Sequence, residues 1–185
     1  MVESGDLLAQ ARAAYAARDW ITAREHFRAV DDAALVDGDD LYALANCSWW
    51  LGELDDALPA LQRAYRSYLD EQRPRTAALV ALDTGYTFAL RGDEAQGSVW
   101  LSRAARLLED EPPCAEASYL VYLAYEQAVD DGDLGAAMEH AEAVAEAGRA
   151  YGDPTLGALG VLGKGRVLVA RGEVGDGLAL LDEAM

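Results

Sequence analysis

LGELDDALPALQRA, residues 51–64, reads as a tight turn made by a glycine and an acid, followed by a helix. The same turn returns as Arg18-Asp19, Gly92-Asp93, Gly132-Asp133 and Gly172-Glu173, at steps of 34, 40, 40 and 40 residues. Five residues past the turns stand Ala23, Ala57, Gly97, Ala137 and Gly177, all of them small. Nine past come Phe27, Leu61, Leu101, Ala141 and Leu181, and twelve past come Val30, Ala64, Ala104, Val144 and Ala184. Steps of four and three mark one face of a helix. Eleven residues before the turns the chain has Leu7, Leu41, Ala81, Val121 and Val161, again apolar. Five copies of helix–turn–helix with a small residue at the tightest contact make an array.

The spacing predicts ten helices in five pairs: 5–17 and 20–36, 40–50 and 54–71, 75–90 and 94–108, 114–129 and 134–151, 155–170 and 174–184. The repeats run at about 5–38, 39–73, 74–111, 112–153 and 154–185, in a single domain over 1–185. Gly38, in the acidic loop 37–40, is expected to stop one helix, with an aspartate capping the next. Pro59 falls late for a helix entry and is expected to bend or loosen its turn. The chain stops inside the last predicted helix with an apolar stripe of Leu178, Leu180 and Leu181. Arrays normally close with a polar cap, so a fragment of a longer chain is expected, or an end that meets a partner, such as a second copy in a homodimer.

Alanine, leucine, glutamate and arginine abound, while asparagine, lysine and β-branched residues are scarce, which favours helix throughout. The net charge of −18 repels phosphate backbones and anionic membranes, so direct nucleic-acid contact by this segment is not expected. Two cysteines, Cys47 and Cys114, make no disulfide framework and suit a reducing cytoplasmic location. The opening MVESGDLLAQ has no basic start and no apolar run, so no secretory signal is read there. The longest apolar stretch, 156–170, is broken by Lys164 and Arg166 and is too short to span a membrane.

These repeats resemble tetratricopeptide repeats. That pattern has a small residue seven before the turn, where Ala11, Ala45, Gly85 and Gly165 stand; Tyr125 departs from it in the fourth repeat. The resemblance implies an all-α, right-handed superhelical solenoid whose first helices line a concave groove. Its groove positions lie three, six, ten and thirteen residues before each turn. They hold Arg12 and Tyr15 in the first repeat, and Tyr42, Asn46 and Trp49, with Trp50 alongside, in the second. Tyr86 follows in the third, Tyr119, Tyr122 and Glu126 in the fourth, and Arg166 in the fifth. Aromatics with a few isolated polar groups suit a small apolar or aromatic ligand, or a peptide or protein segment. The other reading is that the winding chain buries these residues against its own neighbours. Clamps for acidic peptide termini need clustered lysines and asparagines, and only Asn46 fits. Residues 51–66 and 163–185 also resemble the amino-terminal repeat region of actinobacterial LuxR-type transcriptional regulators. That narrower likeness implies a sensing role for this segment; a stand-alone scaffold for a protein partner is the alternative.

No motif points to catalysis, a metal or a cofactor. His26 and His140 each adjoin a glutamate, but adjacent residues on a helix point apart. Gly163-Lys164-Gly165 lacks the preceding glycine and following hydroxyl of a phosphate loop. Gly157, Gly160, Gly163 and Gly165 are better explained by close helix approach. Asp55-Asp56 and Asp130-Asp131 lie in solvated turns.

Overall fold

The computed structural model describes residues 4–30, 35 and 37–184, which contain ten α-helices and no strand. They are α1 Ser4–Ala16, α2 Trp20–Ala29, α3 Gly38–Trp50, α4 Leu54–Asp70, α5 Pro74–Leu90, α6 Glu94–Leu108, α7 Ala115–Asp130, α8 Leu134–Tyr151, α9 Pro154–Ala170 and α10 Val174–Ala184. The chain divides into two compact units, Met1–Asp110 with α1–α6 and Glu111–Met185 with α7–α10.

The recurring turn forms because its first residue leaves the right-handed region. Gly52, Gly92, Gly132 and Gly172 have φ between +74° and +88°, and Arg18 takes φ +59° in the first repeat. The following N–H then reaches back to the preceding helix, as from Asp93 to the Phe88 carbonyl at 3.0 Å and from Glu173 to Leu168 at 2.9 Å. Asp19, Asp93 and Asp133 also cap the next helix through their carboxylates; Glu53 makes no such bond.

Within unit 1 the pairs α1/α2, α3/α4 and α5/α6 pack as hairpins, and α2 meets α3 while α4 meets α5. In unit 2, α7/α8 and α9/α10 do the same, with α8 against α9. The small-residue positions lie where two backbones meet. A methyl group on Gly85 would stand 3.1 Å from the Gly97 carbonyl oxygen, and one on Gly97 would stand 3.0 Å from the Gly85 oxygen. Gly165 and Gly177 repeat this, at 3.0 and 2.8 Å. The core of unit 1 gathers Phe27, Leu35, Leu41, Cys47, Leu61, Tyr68 and Val80. Each such side chain contributes roughly 1.5–3 kcal/mol by leaving water. Tyr125, Ala137, Ala141 and Val167 form a core cluster in unit 2.

Three expectations change. The second helix was expected to reach residue 36 but ends at Ala29, because Val30 turns extended (φ −73°, ψ 138°) to bury its side chain. The rest of that expected stretch, 31–34 and 36, lies outside the described residues. Gly38 opens α3 instead of closing the helix before it; Asp37 is the cap, accepting from the N–H groups of Asp39 and Asp40. A side chain on Gly38 would meet the Tyr68 ring at 2.8 Å, so the glycine serves packing. Tyr125 fills the small-residue position of the fourth repeat and is wholly buried. Its ring fits because Gly163 on α9 faces it, and a methyl group there would stand 3.2 Å from the ring. Pro59 lies inside α4, which runs unbroken around it.

Candidate functional site

The candidate residues fall into two sets, one in each unit, with different states of engagement. In unit 1, five rings touch in sequence. Tyr15 meets Trp20 edge-on at 5.5 Å, and Trp20 stacks on Trp50 at 6.2 Å. Trp50 meets Trp49 edge-on at 5.2 Å, and Trp49 meets Tyr86 at 6.4 Å. Trp49 and Tyr15 are half-buried, while Trp50 is 62% and Tyr86 50% exposed. The strip therefore joins α1, α3 and α5 through their last turns, with Trp20 arriving from the start of α2. Trp20 was missed in the sequence because it follows the turn, outside the first helices.

Polar groups lie on the same helices. The Asn46 side-chain amide donates to the Tyr15 hydroxyl at 3.2 Å, and Asn46 also hydrogen-bonds Tyr42. The Tyr42 hydroxyl donates to the Asp83 carboxylate on α5. Burial, and then the negative charge of Asp83, make Tyr42 hold its proton more tightly than a free phenol. Burial also pushes Asp83 up to about 6, with the Tyr42 bond opposing the rise. Sequence reasoning missed Asp83, which lies at none of the expected groove positions. Arg12 donates twice to Asp40, at 2.7 Å each, and that carboxylate is almost wholly buried. It bridges α1 and α3 as part of the fold.

Because the native state holds the Asp83 proton up to about pH 6 and the unfolded chain releases it near pH 4, unit 1 loses stability as pH rises through that window. Asp83→Asn keeps an acceptor for Tyr42 and removes the buried charge. It is expected to stabilise unit 1 at pH 7.5 by about 2 kcal/mol, allowing for partial exposure, and to have no such effect at pH 4. Urea melts at the two pH values measure this.

In unit 2 the set is tied up within the protein. Tyr122 stacks on Tyr125 at 5.5 Å and donates to Glu126 at 2.6 Å. Arg166 donates to the same Glu126 oxygen at 2.8 Å and lies 5.5 Å from the Tyr125 ring centre. Tyr119 donates to Asp153 at 3.1 Å. Beside this network an open apolar cavity of about 370 Å³ is lined by Val129, Leu134, Val167, Val169, Leu178 and Leu181, with Arg166 at its edge. Leu178 and Leu181 belong to the apolar stripe of the last helix, and Leu178 is half exposed.

Among the described residues, no group of three or more His, Cys, Asp or Glu side chains could hold a metal. No helix there is long and apolar enough to cross a membrane.

This arrangement defines a helical-repeat protein of the tetratricopeptide-like fold. No family model and no curated protein matches the sequence. Solved structures do match in fold. BtubC (BKLC) from P. vanneervenii is 15% identical, with 94% of this chain and 75% of that one covered at a TM-score of 0.61. The MamA protein is 16% identical, covering 98% and 89% at a TM-score of 0.55. The nearly identical TPR-like repeats of a putative kinesin light chain from Podosopora anserina are 13% identical, covering 100% and 95% at 0.55. At these identities the likeness is one of fold.

Proposed function

We propose that the chain is a non-catalytic binding module that takes an apolar segment of a protein partner along the ring strip of unit 1. The observation that carries this is the exposure of Trp50 and Tyr86 at the two sides of half-buried Trp49, in a continuous run of ring contacts. Large rings held in place cost little entropy to bury, which makes them anchors. The network in unit 2 already satisfies its own polar groups, so it favours packing there. The further assignment, as the sensing region of a LuxR-type regulator, rests on residues 51–66 and 163–185; a downstream helix-turn-helix in the complete gene distinguishes it from a stand-alone scaffold.

The test is selection of phage-displayed random peptides on the purified chain, followed by titration of the enriched peptides. Trp50→Ala and Tyr86→Ala are each expected to weaken binding by ~1–4 kcal/mol, with the thermal melt nearly unchanged. Binding intact in both variants overturns the strip as a site. Native mass spectrometry of the purified protein covers the small-ligand alternative.

A further inference from the structure

The Asp83 carboxylate has a hydroxyl partner and no cation. It is half-buried on α5, accepts the Tyr42 hydrogen bond from α3, and pairs with no arginine or lysine among the described residues. Other acids that link helices of unit 1 have their countercharge: Arg12 holds Asp40, and Arg24 holds Glu53. Tyr42 from α3 faces Asp83, with Asn46 bonded to Tyr42, and Tyr15 from α1 lies further off. Both tyrosines keep their protons more tightly than usual, chiefly through burial, so the tyrosines nearest Asp83 are neutral.

Asp83 lies three residues before Tyr86, about 4.5 Å along the same helix. The two residues are rungs of one α3/α5 crossing, Asp83 with Tyr42 and Tyr86 with Trp49. Ring faces attract cations, and indole does so most strongly. A net charge of −18 draws basic segments towards the molecule from solution. A desolvated carboxylate without a countercharge gains most when a cation arrives, because the unfavourable part of its burial is then offset.

We propose that the partner segment bound on the ring strip places an arginine or lysine side chain against Asp83, with its neighbouring apolar residues along Trp49, Trp50 and Tyr86. This rests on the binding function proposed above and names the chemistry of the partner. The aliphatic stem of such a side chain suits the rings while its charged end reaches the carboxylate.

The experiment uses the full chain, with peptide selection at about 0.3 M salt so that the diffuse field of the acidic surface is screened. Wild type, Asp83→Asn, Trp50→Ala and Tyr86→Ala are panned in parallel. Peptides enriched on the wild type are expected to carry a basic residue beside apolar ones. An enriched peptide remade with citrulline for arginine, or acetyl-lysine for lysine, is expected to bind wild type about tenfold more weakly. On Asp83→Asn that preference should vanish, and on wild type it should shrink as pH falls from 7 to 5. Enriched peptides without basic residues, or an equal preference on Asp83→Asn, overturn this inference and leave the binding function standing. Failure to enrich any peptide, or binding unchanged in both Trp50→Ala and Tyr86→Ala, overturns both.

Discussion

Gly160→Val is expected to unfold unit 2 or to cost it about 3 kcal/mol or more, at the top of the range for overpacking. A methyl group on Gly160 would lie 2.3 Å from the Ala145 nitrogen and 2.5 Å from its Cα. Those are backbone atoms of α8, so no rotamer change relieves the clash; the two helices must separate. Gly157, one turn earlier on α9, is the control. No atom outside its own stretch of helix lies within 4 Å of a methyl group there, and the residue is inside the helix. Gly157→Ala is therefore expected to stabilise by up to about 1 kcal/mol through helix propensity. Urea denaturation of both variants checks the pair. Equal effects would mean that α8 and α9 do not approach as described.

Tyr125→Ala is expected to cost unit 2 ~3–5 kcal/mol, although a small residue is what the repeat pattern calls for at this position. The ring is wholly enclosed and packs on Tyr122 and Gly163, and its hydroxyl donates to the Gly163 carbonyl at 3.4 Å. Truncation leaves a hole that Gly163 cannot fill. Tyr125→Phe keeps the ring and loses that bond, so about 1 kcal/mol is expected. Differential denaturation of the two variants separates ring volume from hydrogen bonding. A mild effect of the alanine variant would show that α7 and α9 close together when the ring is gone.

Much of the fold was legible because it is written locally and repeated. A turn glycine needs a backbone state that other residues reach with difficulty, and its recurrence located four of the five hairpins, the first being marked by Arg18-Asp19 at the matching place. The small residues on either side located the contacts between Gly85 and Gly97 and between Gly165 and Gly177. Two kinds of information were not local. Tyr125 looks like a defect until Gly163, from a different hairpin, supplies the missing space. Gly38 looks like a helix stop until Tyr68, thirty residues on, is seen against it. The site followed the same division. Trp49, Trp50 and Tyr86 lie at or beside positions that the repeat pattern assigns to a groove. Asp83 and Trp20 fall outside those positions: Trp20 joins the strip through ring contacts, and Asp83 joins Tyr42 across α3 and α5. Arg12 looked like a free polar group because its partner, Asp40, lies in the next hairpin.

The two cysteines are distributed one to each unit, and both are buried and unpaired. Burial pushes the Cys47 thiol up to about 11, so at neutral pH it carries almost no thiolate as well as being out of reach. A buried thiol reacts with an alkylating reagent only when its surroundings open. The chain thus carries a pair of natural clocks, Cys47 timing the opening of the first unit and Cys114 that of the second, without any label added to either.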